Sequence, residues 1–161
     1  MIRKSWTIMT LAAALAMGTQ PAAAQGTGVL TSKAELEKSD PAVDGREGAK
    51  TYTTPNVVVP GDRIRLTLTF TNNGAAPSAK MILMNPIPTA LVFDGTSDTT
   101  GFAVSVDGGK TFGALGDLKA GVEDAAPRPA VASDVTHVRW AWPDAIAPGE
   151  SRSVAFFGRV Q

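Results

Sequence analysis

Between Arg63 and Phe70 the chain reads Arg-Ile-Arg-Leu-Thr-Leu-Thr-Phe, with Ile64, Leu66, Leu68 and Phe70 at every second position and arginine or threonine between them. Side chains of a β-strand alternate between the two faces of its sheet, so a period of two predicts a strand with one face in a core and one in water. Such a strand is stable only when its apolar face meets a second layer. The rest of the chain offers that layer in the same pattern. Phe102, Val104 and Val106 alternate. Val135 to Trp142 puts Thr136, Val138, Trp140 and Trp142 on one face and Val135, His137, Arg139 and Ala141 on the other. In the closing stretch Ser151 to Val160, Val154, Phe156, Gly158 and Val160 share a face.

Turn signals separate these runs. Pro60-Gly61-Asp62 precedes the first and Pro148-Gly149-Glu150 repeats the device before the last. Asn72-Asn73-Gly74 ends the first strand with residue types that tolerate positive φ. The next strand spans Lys80 to Met84, and because Pro86 and Pro88 lack an N–H it must stop, or lie at an edge, by Asn85. Leu91-Val92-Phe93 gives a short buried run. Asp107-Gly108-Gly109 turns Phe102–Val106 back through Thr111-Phe112 as a hairpin. Residues 113–134 read as a long loop, and residues 40–56, with Pro41, Gly45, Gly48 and Pro55 and only Val43 and Tyr52 as large hydrophobes, read as a loop or linker. Val29, Leu30 and Leu36 make residues 25–40 an N-terminal strand or arm. No window of the chain beyond residue 24 shows a helical period with caps. The expectation is an all-β antiparallel sandwich of about seven strands over residues 57–161, with a closed barrel as the alternative.

Arg3 and Lys4 before the apolar stretch Trp6–Met17, then Gly18-Thr19-Gln20-Pro21 and the small residues Ala22-Ala23-Ala24, form the pattern of a signal peptide over residues 1–24, cut after Ala24 to leave Gln25 first. The apolar stretch is too short to span a bilayer. The expected location is periplasmic or extracellular, with no transmembrane segment in the mature chain. Without residues 1–24 the chain carries 13 basic against 15 acidic residues. No basic stripe exists to replace phosphate counterions, so nucleic acid is not an expected partner. A domain of this size needs no staples, and there is no cysteine to make one.

Val59-Pro-Gly-Asp62, the alternating strand, Phe70-Thr-Asn-Asn-Gly74 and Asn85-Pro-Ile-Pro-Thr-Ala-Leu-Val-Phe93 together resemble the conserved repeat domain of bacterial and archaeal surface proteins catalogued as domain of unknown function 11. The resemblance covers about Val57 to Ser97, with an echo from Pro148 to Val160. It implies an immunoglobulin-like sandwich acting as a spacer or adhesive module, here in single copy. Its motifs are structural: Pro60 to Asp62 at the start of a strand, Asn72 to Gly74 at its turn, Pro86 to Pro88 at a bend. No catalytic residue is carried over with it.

The candidate chemistry is sparse. Ser105-Val-Asp107-Gly-Gly109-Lys-Thr111-Phe112 fits the Asp-box hairpin, a fold element in which Asp107 binds backbone N–H groups of its own turn and Gly109 takes positive φ. His137 is the single histidine, so a multi-histidine metal site is impossible, and a grouping of Ser133, Asp134 and His137 lacks a nucleophile elbow. Asp94, Asp98, Asp107, Asp117, Glu123, Asp124 and Asp134 fall in loops that could gather calcium, but no Asp-x-Asp-x-Asp run is present. Trp140 and Trp142 share a face as core or as an aromatic platform. The surface singled out for partner contact is Trp142, His137 and Arg139. The functional expectation is a non-enzymatic exported interaction module of the cell envelope without a cofactor, its edge strands meeting an envelope protein or a second copy. A carbohydrate- or calcium-binding accessory domain is the alternative.

Overall fold

The computed structural model describes residues 28–41, 44–45, 48–121 and 126–161. The expected signal peptide and its cut after Ala24, with Val43, Glu123 and Asp124, lie outside the described residues.

Among those residues the strands are β1 (Gly28–Ser39), β2 (Lys50–Thr53), β3 (Arg63–Asn72), β4 (Met81–Pro86), β5 (Leu91–Thr96), β6 (Phe102–Ser105), β7 (Lys119–Ala120), β8 (Arg128–Pro129), β9 (His137–Trp142) and β10 (Ser151–Val160). Five form one sheet in the order β2-β1-β3-β10-β5, three form a second in the order β4-β9-β6, and β7 and β8 pair only with each other. All pairings are antiparallel. The two larger sheets pack as an immunoglobulin-like β-sandwich. No helix among the described residues is long and apolar enough to cross a membrane.

The alternation read from the sequence is what joins the layers. Leu68 and Phe70 of β3, Val154 and Phe156 of β10 and Phe93 of β5 face Leu83 of β4, Val104 of β6 and Val138, Trp140 and Trp142 of β9 in one buried cluster. Trp140 is 0 % exposed, its ring 6.3 Å from Phe156 and 5.0 Å from Phe102. Its indole N–H donates to the Asp98 carbonyl at 2.7 Å, so the large apolar body is buried without stranding its one polar atom.

Three strands cannot cover five. The cluster draws on β3, β10 and β5, and neither β1 nor β2 places a residue in it. β1 nevertheless pairs with β3 from Gly28↔Asn72 to Leu36↔Ile64, so the N-terminal segment is a full strand of the sandwich rather than an arm before residue 57. Within residues 40–56, expected as loop, Lys50–Thr53 forms β2 against β1.

The turns carry further corrections. Lys80, expected to open a strand, has φ 53 and the strand starts at Met81; β4 is an edge strand, where Pro86 costs no ladder bond. Neither Asn73 nor Gly74 has a positive φ. The side chain of Asn72 makes that turn instead: buried, it accepts from the Gly74 N–H and donates to the carbonyls of Ala76 and Ile146. The return arm of the expected hairpin is a single bridge, Val104↔Gly113, because β6 pairs with β9. Residues 113–134 contain two one-turn 3-10 segments as well as β7 and β8. Val57, Val58 and Val59 are exposed and outside any strand.

Pro60-Gly61-Asp62 and Pro148-Gly149-Glu150 are the same turn built twice. Gly61 and Gly149 have φ of 95 and 79. Asp62 N–H donates to the Val59 carbonyl while the Asp62 carboxylate accepts from Val59 N–H, and Glu150 and Ala147 exchange the same pair of bonds. Each turn delivers a strand, β3 or β10, and these two strands then pair with one another.

Candidate interaction site

Trp142, His137 and Arg139 do not form one surface. β9 alternates, so Trp142 points inward and is 5 % exposed, with the Arg152 guanidinium 5.3 Å from its ring. This corrects the aromatic platform: both tryptophans of β9 are in the core. His137 and Arg139 point outward and are half-buried. The Asp107 turn folds onto them, with the Cβ position of Gly109 3.6 Å from the His137 ring and from the Met84 sulfur. Arg139 stacks over Phe112 at 4.5 Å, and its Nε is a buried donor without a partner among the described residues.

The turn itself is closed by one carboxylate. Asp107 accepts from the hydroxyls of Ser105 and Thr111 at 2.7 and 2.6 Å and from the backbone N–H groups of Lys110 and Thr111. Those bonds, the Thr111 hydroxyl first, hold its pKa well below the usual carboxylate range. Gly108 and Gly109 supply the positive φ values. Every oxygen of Asp107 faces its own turn, and nothing is left to react.

Three of the other carboxylates expected in loops are also engaged, and Asp94 lies on β5 instead of in a loop. Asp94 accepts from Arg63 and Arg159, Asp98 from the Ala155 N–H, and Asp134 from Arg128 and the Val131 N–H. Among the described residues no three acidic or histidine side chains gather to hold a metal ion. Asp134 turns toward Arg128 while His137 Nδ1 lies 3.2 Å from the Thr136 hydroxyl, so Ser133, Asp134 and His137 are not brought into a relay.

Two features were missed in the sequence. The first is a charged ladder on the outer face of the five-stranded sheet. Glu35 of β1 meets Arg65 of β3 at 2.6 Å, Glu37 meets Arg63 at 2.9 Å, and Arg63 and Arg159 converge on Asp94. Tyr52 of β2 joins by a hydroxyl bond to Glu37 and by lying under Arg65 at 3.5 Å. Glu35 is 7 % exposed, and its bonds to Lys33 and then Arg65 lower its pKa. Toward the other end the same face carries hydroxyl pairs, Thr69 with Ser153 and Thr71 with Ser151, both at 2.7 Å. The signal was present: Glu35 and Glu37 two apart on one strand, Arg63 and Arg65 two apart on another.

The second feature is an open strand edge. β2 pairs with β1 only from Leu36 to Ser39, so among the described residues the outer edge of Gly28–Glu35 has no strand beside it. Gly28 to Ala34 are exposed on both faces, with Val29 at 47 % and Leu30 at 49 %. Leu30, Ser32 and Ala34 face the core side, opposite Phe70, Leu68 and Leu66, where the smaller sheet does not reach. Elsewhere a shallow apolar depression of about 460 Å³ is lined by Met81, Ile82, Gly101, Ala141, Trp142 and Pro143, with Lys80 at its rim.

Comparison of the chain with family models, curated proteins and solved structures returns no match.

Proposed function

We propose that this chain is an exported, non-enzymatic interaction module of the cell envelope that binds its partner by strand addition along β1. The observation that carries this reading is the open edge at Gly28–Ala34. A strand with one free edge presents a row of unpaired N–H and C=O groups, and a partner strand can bond to them without a dedicated pocket. Proteins normally blunt such an edge with lysine, proline, bulges or cover. Here the stretch has no proline and one lysine, Lys33, whose charge is paired with Glu35 at 2.8 Å, and it offers Val29 and Leu30 beside Thr31 and Ser32. The resemblance to surface-protein repeats is in keeping with an adhesive role, and Asp107, Asp134 and His137 are engaged in turns and packing rather than in a catalytic arrangement.

In-cell cross-linking with mass spectrometry tests the proposal. The expected result is recurrent adducts concentrated on Gly28–Ala34. Adducts spread evenly over the surface, or concentrated elsewhere, would reject strand addition at this edge.

A ligand-binding accessory role is the second reading, and one observation favours it. Among the described residues Lys80, at the rim of the apolar depression, has no ion-pair partner, and its backbone is held at φ 53, a conformation that costs a non-glycine residue energy. An aliphatic carboxylate fits that chemistry better than a sugar, since the tryptophan faces are buried. Trp142 lines the depression, so titration with decanoate read by tryptophan fluorescence tests it, and an unchanged spectrum at saturating ligand rejects it.

A further inference from the structure

We infer, on the strand-addition reading just given, that the strand added to β1 is β1 of a second copy, paired antiparallel about a two-fold axis at Thr31. The exposed stretch runs from Gly28 to Ala34, and Thr31 is its midpoint. Antiparallel pairing about a two-fold axis normal to the sheet sets residue i against a residue of the same face, so the register must be centred on a residue rather than between two. Centring on Thr31 pairs Thr31 with its copy, Val29 with Lys33, Leu30 with Ser32 and Gly28 with Ala34. Every pair lies within the open stretch and none meets the part of β1 held by β2.

The neighbouring registers are worse in identifiable ways. Centring on Leu30 pairs only the five residues Gly28–Ser32 within the open stretch and leaves Lys33 and Ala34 without partners there. Centring on Lys33 sets two lysines face to face, which costs energy directly across a ladder. Centring on Ser32 places Lys33 diagonal to Lys33 of the other copy. Thr31 centring has neither contact, and a threonine pair at the centre is among the favourable cross-strand pairs. On the core-side face it brings the two Leu30 side chains diagonal to one another, each otherwise exposed because the smaller sheet stops short. Two five-stranded sheets become one of ten strands.

The outer face complies with the same axis. Lys33 is already neutralised by Glu35 at 2.8 Å in its own chain, so it can lie opposite Val29 without an unbalanced charge. Seven paired residues bury well under the roughly 1,200 Å² typical of a stable complex, so the dimer is weak and forms where copies are concentrated.

The chain contains no cysteine, so a single introduced thiol can form only intermolecular disulfides. Thr31→Cys places the two thiols on the axis, within the Cα separation a disulfide accepts, and is expected to oxidise to dimer about ten-fold more than Ser151→Cys, an exposed site at the start of β10, opposite Thr71 of β3 and outside the proposed interface. Sedimentation of the unmodified protein provides a measurement independent of the variants, with a concentration-dependent rise in mass that Leu30→Lys removes. Thr31→Cys cross-linking no better than Ser151→Cys, Ser32→Cys cross-linking better than Thr31→Cys, or a constant monomer mass would overturn the inference. A photo-cross-linker at Val29 in cells separates the two proposals. Capture of a different envelope protein overturns self-pairing while leaving strand addition standing, and no adduct at Val29 overturns both.

Discussion

β9 and β1 are both β-strands in the same sandwich, yet they obey different rules. β9 has six residues, and each is buried or half-buried; β1 has twelve, and its first seven are exposed on both faces. β9 is the middle strand of its sheet, with the five-stranded sheet on one face and the Asp107 turn over part of the other. β1 has β3 on one side, β2 along its last four residues only, and no second layer over its first half. Position under a second layer decides burial, and strand length does not. β9 therefore carries stability, and the first half of β1 is free to carry something else.

The sharpest way to break this contrast is through Trp140. Trp140→Ala removes a fully buried indole packed against Phe102 and Phe156 and should cost about 3–5 kcal/mol, a large share of the stability of a domain this size. Urea unfolding followed by circular dichroism measures it. A cost near that of a surface change would mean that β9 is not the centre of the core.

Asn72 comes next, because it lies at the end of β3 opposite Gly28 yet spends its side chain elsewhere. Asn72→Ala leaves the carbonyls of Ala76 and Ile146 and the Gly74 N–H without their partner and should cost about 1–3 kcal/mol. Equal destabilisation on deleting the β1 residues opposite it would show that β1 holds this corner, against the contrast drawn here.

Acid should act through the turns beside β9. Asp134 is lowered from 3.8 to about 2, first by its bond to Arg128 and then by the Val131 N–H, and Asp107 is lowered by its own turn. A carboxyl with a depressed folded-state pKa contributes stability that is present above its unfolded value and is lost as pH falls through the folded value. Melting temperature should therefore fall from about pH 4 toward pH 2, and Asp134→Asn should flatten part of that fall. An unchanged slope in Asp134→Asn would assign the acid sensitivity to other groups, Glu35 of β1 first among them.

The same contrast explains what the sequence made legible. β3, β9 and β10 are covered on one face and wet on the other, so Ile64 to Phe70, Val138 to Trp142 and Val154 to Phe156 show the period of two. β1 lacks cover, so nothing constrains Leu30, Ser32 and Ala34 to be apolar together, and a true strand reads only as a strand or an arm. β7 and β8 have two residues each, too few for any period. The alternation leaves Trp142 open between core and partner surface; it is buried, and the Arg152 guanidinium, ten residues on, lies over its ring. The charged ladder joins residues 26 to 65 positions apart, and only the register of β1, β3, β10 and β5 brings them together.

The smallest expected effect on stability is the most telling about role. Leu30→Lys changes a side chain that is half exposed, is not itself a member of the buried cluster and lies opposite Phe70 where the smaller sheet does not reach, so unfolding free energy should move by no more than about 0.5 kcal/mol. In the paired register, however, it sets two lysines diagonal across the axis and exchanges an apolar contact for repulsion. A variant with wild-type melting temperature and no concentration-dependent mass would separate stability from association at one residue. Loss of stability comparable to Asn72→Ala would instead make Leu30 part of the core. β1 would then be an ordinary covered strand, with its exposed side chains a property of its ends alone.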